Sequence, residues 1–251
     1  MTRLATELGV TSRTNTPVDR METHQGRIGA VITPEQRYET NTVSSNVDVT
    51  TTYKHLLHLP YDDKFELSCS GFIMMLGVKG THDKLKHHNV FFSADYEAEF
   101  RTIFKEQKLA QDPTIYVAIT SKTDADHAPA NCENWFILVN VPALSHHVDW
   151  EKEAQPYRDL IISRLAAYGY DLDIITEQIL TPVDLQSMSG AWRGALYGAS
   201  ANSKWTAFRR PHNRSKDIKG LYFAGGTTHP GGGVPMVTLS GKVAAEMVLE
   251  D

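Results

Sequence analysis

The residues best placed to do chemistry lie near the C-terminal end of the sequence, in the stretch GLYFAGGTTHPGGGVPMVTLSGKVAAEMVLED from Gly220 to Asp251. Five of the eleven residues from Gly225 to Pro235 are glycine and two are proline. An apolar run, Leu221 to Ala224, leads in, and a helical pattern leaves near Val234 to Met236. Glycine lets a backbone come close to a phosphate or a flat ring. The start of a helix offers free N–H groups and partial positive charge to an anion. Pro235 suits a first helical turn, where its missing N–H costs nothing. The spacing is not GxGxxG, and that pattern occurs nowhere in the chain. By itself the cluster reads equally as a tight turn or as an anion-binding loop.

Other candidates are scattered. His229 sits inside the glycine loop, and Trp192, Arg193 and Tyr197 sit in the small-residue stretch SGAWRGALYGASAN. Phe72, Ile73, Met74, Met75, Leu76, Trp135, Phe136 and Leu138 form two apolar runs that suit either a core or a greasy channel. His87-His88 and His146-His147 suggest a metal at first glance. Neighbours on a strand point to opposite faces, so both pairs read as surface or turn residues and no metal is expected. Cys69 and Cys132 fit no metal or redox spacing. They read as reduced structural thiols, with the cytoplasm as the default compartment.

The elements that must position these groups are legible in outline. The chain has 251 residues, 41% hydrophobic and 22% charged, as an ordinary globular protein does. A net charge of −5 with no basic stripe excludes a polyanion surface, so no nucleic-acid partner is expected. No apolar run is long enough for a membrane span. The spacing predicts a short helix from Thr2 to Leu8 and a strand in GRIGAVIT behind a turn at Gln25-Gly26. A helix from Thr51 to Leu59 should stop at Pro60. FELSCSGFIMMLGVKG, DPTIYVAIT and NWFILVNVPA read as strands. DYEAEFRTIFKEQ reads as a helix burying Tyr96, Phe100, Ile103 and Phe104. WEKEAQPYRDLIISRLAAYG reads as an amphipathic helix ending at Gly169, with Pro156 near its start or kinking it. KGLYFAGG is a buried strand, and VPMVTLSGKVAAEMVLE a terminal helix.

The segment NRSKDIKGLYFAGGTTHPGGGVPMVTLSGKVAAEMV closely resembles the C-terminal motif of the bacterial and fungal-type phytoene desaturases, the carotenoid-desaturase branch of the FAD-dependent amine-oxidase superfamily. HHNVFFSADYEAEFRTIFKEQKLAQDPTIYVAITSKTDADHAPANCENWFILVNVPAL and LTPVDLQSMSGAWRGALYGAS resemble the middle region of that family, and LATELGV and VSSNVD match it more loosely. The resemblance implies an α+β or α/β fold: part of a Rossmann-like FAD-binding domain in residues 1–50 and 181–251, and a mixed-sheet substrate domain in residues 51–180. It implies main-chain contacts to FAD from Gly225, Gly226 and Thr227, with Gly233, Val234, Pro235 and Met236 beside the flavin ring. Trp192, Arg193 and Tyr197 match a region facing the cofactor cleft. Arg193 then either offsets charge on the flavin or pairs with a core carboxylate, and His229 is a flavin partner, a gate or a turn residue.

Full-length relatives of that type begin with a strand–GxGxxG–helix unit gripping the ADP half of FAD. That unit is absent here, so the chain is expected to be a fragment, a split subunit completed by a missing N-terminal half, or a reduced relative. Each lost hydrogen bond to a charged phosphate is worth about 1.5–3 kcal/mol, so the chain alone should hold FAD weakly or not at all. The expected activity is carotenoid desaturation, with FAD taking hydride from a polyene hydrocarbon and peripheral membrane contact in a complete enzyme. The alternatives are a carotenoid isomerase or retinol saturase-like flavoprotein, and a non-catalytic lipid- or partner-binding module.

Overall fold

A computed structural model describes residues 2–202 and 210–251. The chain forms two compact units, Met1–Asp63 with Pro211–Asp251, and Lys64–Arg210. The unit boundaries thus fall after Asp63 and Arg210, where the sequence reading divided the chain after residues 50 and 180. The architecture is mixed α/β, with three sheets among the described residues.

In the first unit a short helix α1 (Thr2–Glu7) buries no residue and ends at Gly9, whose φ is 84°. Strands β1 (Arg20–His24) and β2 (Arg27–Ile32) form an antiparallel hairpin, and β3 (Arg37–Glu39) pairs with β2. The hairpin turn has positive φ at both Gln25 (49°) and Gly26 (72°), the geometry that matches the twist of two-residue hairpins. Strand β4 (Val43–Ser45) runs parallel to β10 (Leu221–Phe223). Gly220 enters β10 with a φ of 77°, and a Cβ there would lie 1.9 Å from the Asn41 carbonyl oxygen, so only glycine fits. Asp48 caps α2 (Val49–Thr51), its carboxylate accepting from the Thr50 and Thr51 N–H groups. The helix therefore starts before Thr51, and continues as a π-turn, Thr52–Leu56. Met21, Ile28, Val49, Tyr53, Ile218, Leu221 and Phe223 are among the residues of this unit's core. The terminal helix α6 spans Val234–Glu250.

The second unit is built on an antiparallel sheet of order β6-β7-β8-β5-β9: β5 (Ser70–Lys79), β6 (His88–Phe91), β7 (Ile115–Ala118), β8 (Cys132–Val141) and β9 (Asp173–Leu180). Helix α4 (Trp150–Ala167), capped by Asp149, covers one face with Trp150, Tyr157, Ile161 and Leu165, and Gly169 ends it with a φ of 90°. Pro156 lies inside this helix. Phe72 stacks on Trp150 at 5.6 Å and meets the edge of Tyr157 at 5.3 Å. Helix α5 (Pro182–Ser189) starts with a capping box between Thr181 and Asp184.

The helix expected in DYEAEFRTIFKEQ forms as α3 (Tyr96–Arg101), with Ile103 buried as expected but the inward face turned from Tyr96 toward Glu99. Glu99 and Ile103 are buried, whereas Tyr96 is 53% exposed. Two features reset the phase. The Glu99 carboxylate accepts from the Thr114 N–H (2.8 Å) and hydroxyl (2.7 Å), which ties that side of the helix inward. The helix then widens into a π-turn, Thr102–Glu106, which breaks the 3.6-residue period. The aromatic ladder Tyr96, Phe100 and Phe104, with ring centres 4.7 and 5.5 Å apart, is left partly open.

Candidate functional site

The glycine cluster forms a hook between β10 and α6. Main-chain pairing with β4 carries through to Ala224, whose N–H donates to the Ser45 carbonyl at 3.0 Å. The chain turns at Gly225, which has a φ of 123° and would set a Cβ 3.3 Å from the Asn46 side-chain oxygen. Thr228 is fully buried, and its hydroxyl and the His229 N–H both donate to the Pro211 carbonyl, at 2.7 and 2.9 Å. Gly231 and Gly233 have φ values of 131° and 107°, which side chains rarely adopt. A Cβ on Gly233 would meet nothing within 4 Å, so the hook is bare and faces open space there. Gly233 is also the N-cap of α6 and provides no side-chain hydrogen bond, so the first turn offers its N–H groups outward. Val234 (79% exposed) and Met236 (44%) are not absorbed into the core.

Asn213, which the sequence reading passed over, holds the hook in shape. It is 1% exposed, and its amide donates to the Phe223 and His229 carbonyls (3.0 Å each) and to the Ser240 hydroxyl (2.9 Å). Ser240 in turn accepts from the Gly225 N–H at 3.1 Å. One buried side chain thus ties the strand end, the loop and the helix together. The only signal in the sequence was its place at the head of the glycine-rich motif, in NRSK.

The second candidate surface is the sheet face of the other unit that α4 leaves uncovered. The register divides the apolar runs by parity. Phe72, Met74, Leu76 and Trp135 point into the core under α4. Ile73, Met75, Phe136 and Leu138 lie on the opposite face, where Ile73 opposes Leu138 and Met75 opposes Phe136. Tyr116 on β7 and Val90 on the edge strand β6 extend that row. Ile73 is buried and Asn140 lies on the same face opposite Gly71, whereas Met75, Phe136, Leu138 and Tyr116 are half-buried and Val90 is exposed, so the middle of the face is apolar and open. Leu185 of α5 stands over one end, within 3.8 Å of a Cβ placed on Gly71. At the other end, above Gly77, lies a pocket of about 430 Å³.

Trp192, Arg193 and Tyr197 belong to this second unit, in a segment laced onto the start of β5, whereas His229 lies exposed in the glycine hook of the first. The Ser70 hydroxyl donates to the Gly194 carbonyl at 2.6 Å, and the Leu196 N–H to the Cys69 carbonyl at 3.1 Å. Gly194 is required by close approach, since a Cβ would lie 2.4 Å from the Pro182 carbonyl oxygen. Arg193 has a φ of 53°, and its Nε donates to the Leu144 carbonyl at 2.5 Å, while the Leu144 N–H donates back to the Arg193 carbonyl. Its partner is thus main chain, not the core carboxylate the sequence left open. The Tyr197 N–H donates to the Ser68 hydroxyl, and its ring is 44% exposed. The His87 and His88 rings lie against each other, with centres 4.3 Å apart, but their Nδ1 atoms bond different hydroxyls, His87 that of Thr123 and His88 that of Tyr116.

A buried carboxylate stabilises the far end of the sheet. Glu133, 3% exposed, bonds Lys122 (2.6 Å), the His82 ring (2.8 Å), the His82 N–H (3.0 Å) and the Trp135 indole (2.9 Å). Burial pushes its pKa up, but Lys122, the His82 N–H and the indole outweigh it and hold the carboxyl at about 2.

No protein-family model matches the chain. A 1-hydroxycarotenoid 3,4-desaturase of Flavobacterium sp. (strain P99-3) is 36% identical over 252 residues, covering 98% of this chain and 51% of that protein. The chain is homologous to the carotenoid desaturases. A second relative, the 4,4'-diaponeurosporene oxygenase of Staphylococcus aureus (strain MSSA476), is also 36% identical, over 256 residues and 52% of its length. The chain spans about half the length of the curated relatives it matches. The fold is shared with a Methanosarcina mazei oxidoreductase (TM-score 0.64, 13% identity, 98% of this chain and 52% of that one). It is shared also with a P. acnes fatty acid isomerase (TM-score 0.54, 14% identity, 98% and 50%).

Proposed function

We propose that the chain carries the flavin hook and the hydrocarbon-binding sheet of a FAD-dependent carotenoid desaturase. The observation that carries this reading is the glycine hook from Gly225 to Gly233, buried at Gly225 and Gly231 and bare at Gly233, leading into a helix start that no side chain caps. Such a helix start suits an anion, and the glycines suit a flat ring at van der Waals distance. Main-chain groups of Gly226 and Thr227 would line the diphosphate and ribityl chain, with Gly225, whose N–H goes to Ser240, setting the turn behind them, and Gly233, Val234, Pro235 and Met236 would flank the ring. Bound FAD supplies the hydride acceptor. The 36% identity to two proteins named for carotenoid chemistry supports a polyene as substrate.

This chain's own part is then to bind, orient and keep dry. A hydrocarbon has no polar handle, so its position is set by apolar surface, which Met75, Phe136 and Leu138 provide. A GxGxxG-bearing segment, on the same or a second polypeptide, would grip the AMP end. Because the substrate dissolves in lipid, peripheral membrane contact belongs to the same reading; among the described residues no helix is long and apolar enough to cross a membrane.

The test is titration of the purified chain with FAD and with FMN, followed by flavin fluorescence. A hook without an AMP grip should bind the two with similar, weak affinity, and Gly233→Val should abolish both. Flavin fluorescence unchanged at millimolar protein would overturn the hook as a flavin site. If flavin binds, incubation with phytoene separates the chemistries: new double bonds mark a desaturase, and altered geometry without oxidation an isomerase. Polyene binding without any flavin binding would point to a non-catalytic lipid module.

A further inference from the structure

We propose that Asn46 is a cofactor-binding side chain whose amide donates a hydrogen bond to the phosphate of a bound flavin nucleotide. The proposal rests on the reading of the glycine hook as a flavin site, and it adds a side chain to a hook otherwise made of main chain.

Strands β4 and β10 run parallel, so their carboxyl ends open at the same edge of the sheet. In open α/β sheets, ligands bind in the crevice outside those ends. Past the bond from the Ala224 N–H to the Ser45 carbonyl the two chains part. One enters the hook at Gly225, and the other turns toward α2. Asn46 and Gly225 are the first residues on the two sides of that opening, and they lie close together. A Cβ on Gly225 would stand 3.3 Å from Asn46 Oδ1, 3.4 Å from Nδ2 and 3.6 Å from Cγ. The near-equal distances put the flat of the amide against the glycine and leave both polar atoms at its edge.

Neighbouring polar side chains are committed elsewhere. The buried Asp48 carboxylate accepts from the Thr50 and Thr51 N–H groups, the Ser45 hydroxyl bonds that of Thr52 at 2.9 Å, and the Thr228 hydroxyl donates to the Pro211 carbonyl. Asn46 is exposed, and among the described residues its amide has no hydrogen-bond partner. A carboxamide brings two N–H donors to an anion without a charge of its own. Its place along the hook selects the phosphate rather than the ring. Gly225 is tied to Ser240 in the second turn of α6, which at 1.5 Å per residue lies about 10 Å along the axis from Gly233. With the ring at Gly233, the Asn46 amide stands at the other end of the ribityl chain.

The test titrates the whole chain with FMN and with riboflavin, which share the ring and the ribityl chain and differ by the phosphate, and follows flavin fluorescence. Wild type should bind FMN more tightly than riboflavin. Asn46→Ala should weaken FMN by roughly tenfold, as loss of a hydrogen bond to a charged group does, and leave riboflavin within about twofold. Asn46→Asp keeps the shape and sets a negative charge beside the phosphate, so it should weaken FMN further and again spare riboflavin. Ser44→Asp, exposed on the same strand, controls for charge alone and should change FMN affinity by less than about threefold. All three substitutions are at exposed positions, so urea midpoints should not move. Equal affinity of wild type for the two flavins, or equal loss of both in the Asn46 variants, would overturn the phosphate contact. Wild-type FMN affinity in Asn46→Ala would overturn it too, as would a Ser44→Asp variant as damaging as Asn46→Asp. In each of these cases flavin binding by wild type leaves the hook standing. If wild type binds neither flavin, the flavin reading of the hook fails and the role of Asn46 with it.

Discussion

The two units present a ligand with opposite materials. The hook of the first is main chain, made by removing side chains at Gly225, Gly231 and Gly233 and held from behind by the buried amide of Asn213. The second offers a shallow sheet-face trough of side chains, made by leaving Met75 of β5 and Phe136 and Leu138 of β8 half open while their neighbours build the core. A bare backbone suits a charged, flat cofactor because N–H groups and close approach do the binding. An apolar sheet face suits a hydrocarbon because area alone does it. The contrast also predicts where mutations will hurt. In the hook, fold and site share the same atoms. In the trough, site and core sit on opposite sides of the same strands.

The sharpest break between core and trough is Ile137→Ala against Met75→Ala. Ile137 is fully buried beneath α4, so its truncation should cost about 2–5 kcal/mol in urea unfolding. Asn213→Ala comes next. It leaves the Phe223 and His229 carbonyls without their amide partner, and should cost about 1–3 kcal/mol while also weakening flavin binding, unlike Ile137→Ala. Gly233→Ala should cost about 1–3 kcal/mol, because a φ of 107° strains any side chain although space is open in front of it.

The Glu133 cluster tests the second unit by pH. The folded carboxyl lies at about 2, below its ordinary value of 4.5, so the stabilisation is fully present above pH 4.5 and is lost as pH falls from there toward 2. Thermal melts across that window should fall steeply for wild type and more gently for Glu133→Gln, which starts from a lower melting temperature at neutral pH. The smallest stability change is expected for Met75→Ala, under about 1.5 kcal/mol for a half-buried side chain, yet it should weaken the binding of phytoene clearly. A Met75 variant as damaging to the fold as Ile137→Ala would erase the distinction between trough and core.

Much of the framework is legible from residue order. Alternation and apolar runs locate β5, β7 and β8, and the caps and glycines around Trp150–Ala167 bound α4 closely. The aromatic spacing of Tyr96, Phe100 and Phe104 misleads, because a π-turn shifts the helical phase and Glu99 finds a buried partner in Thr114, which no local pattern announces. Strand β9, with its mostly exposed Asp173–Leu180, lacks the alternation that marks a half-buried strand. Arg193 looked like a charge partner, and only folding brought the Leu144 carbonyl to its Nε.

By itself the sequence determined where main chain must be bare. Glycines at Gly220, Gly225 and Gly233 answer to local geometry, a positive φ or a neighbouring carbonyl, and local geometry is written in adjacent residues. Tertiary structure alone decided which of two adjacent apolar residues is core and which is surface. Met74 and Met75 are identical in type and consecutive in sequence, and only the placement of α4 on one side of the sheet buries the first completely and leaves the second half open. Burial is a property of contacts made by residues far apart in the chain, so it cannot be read from either methionine.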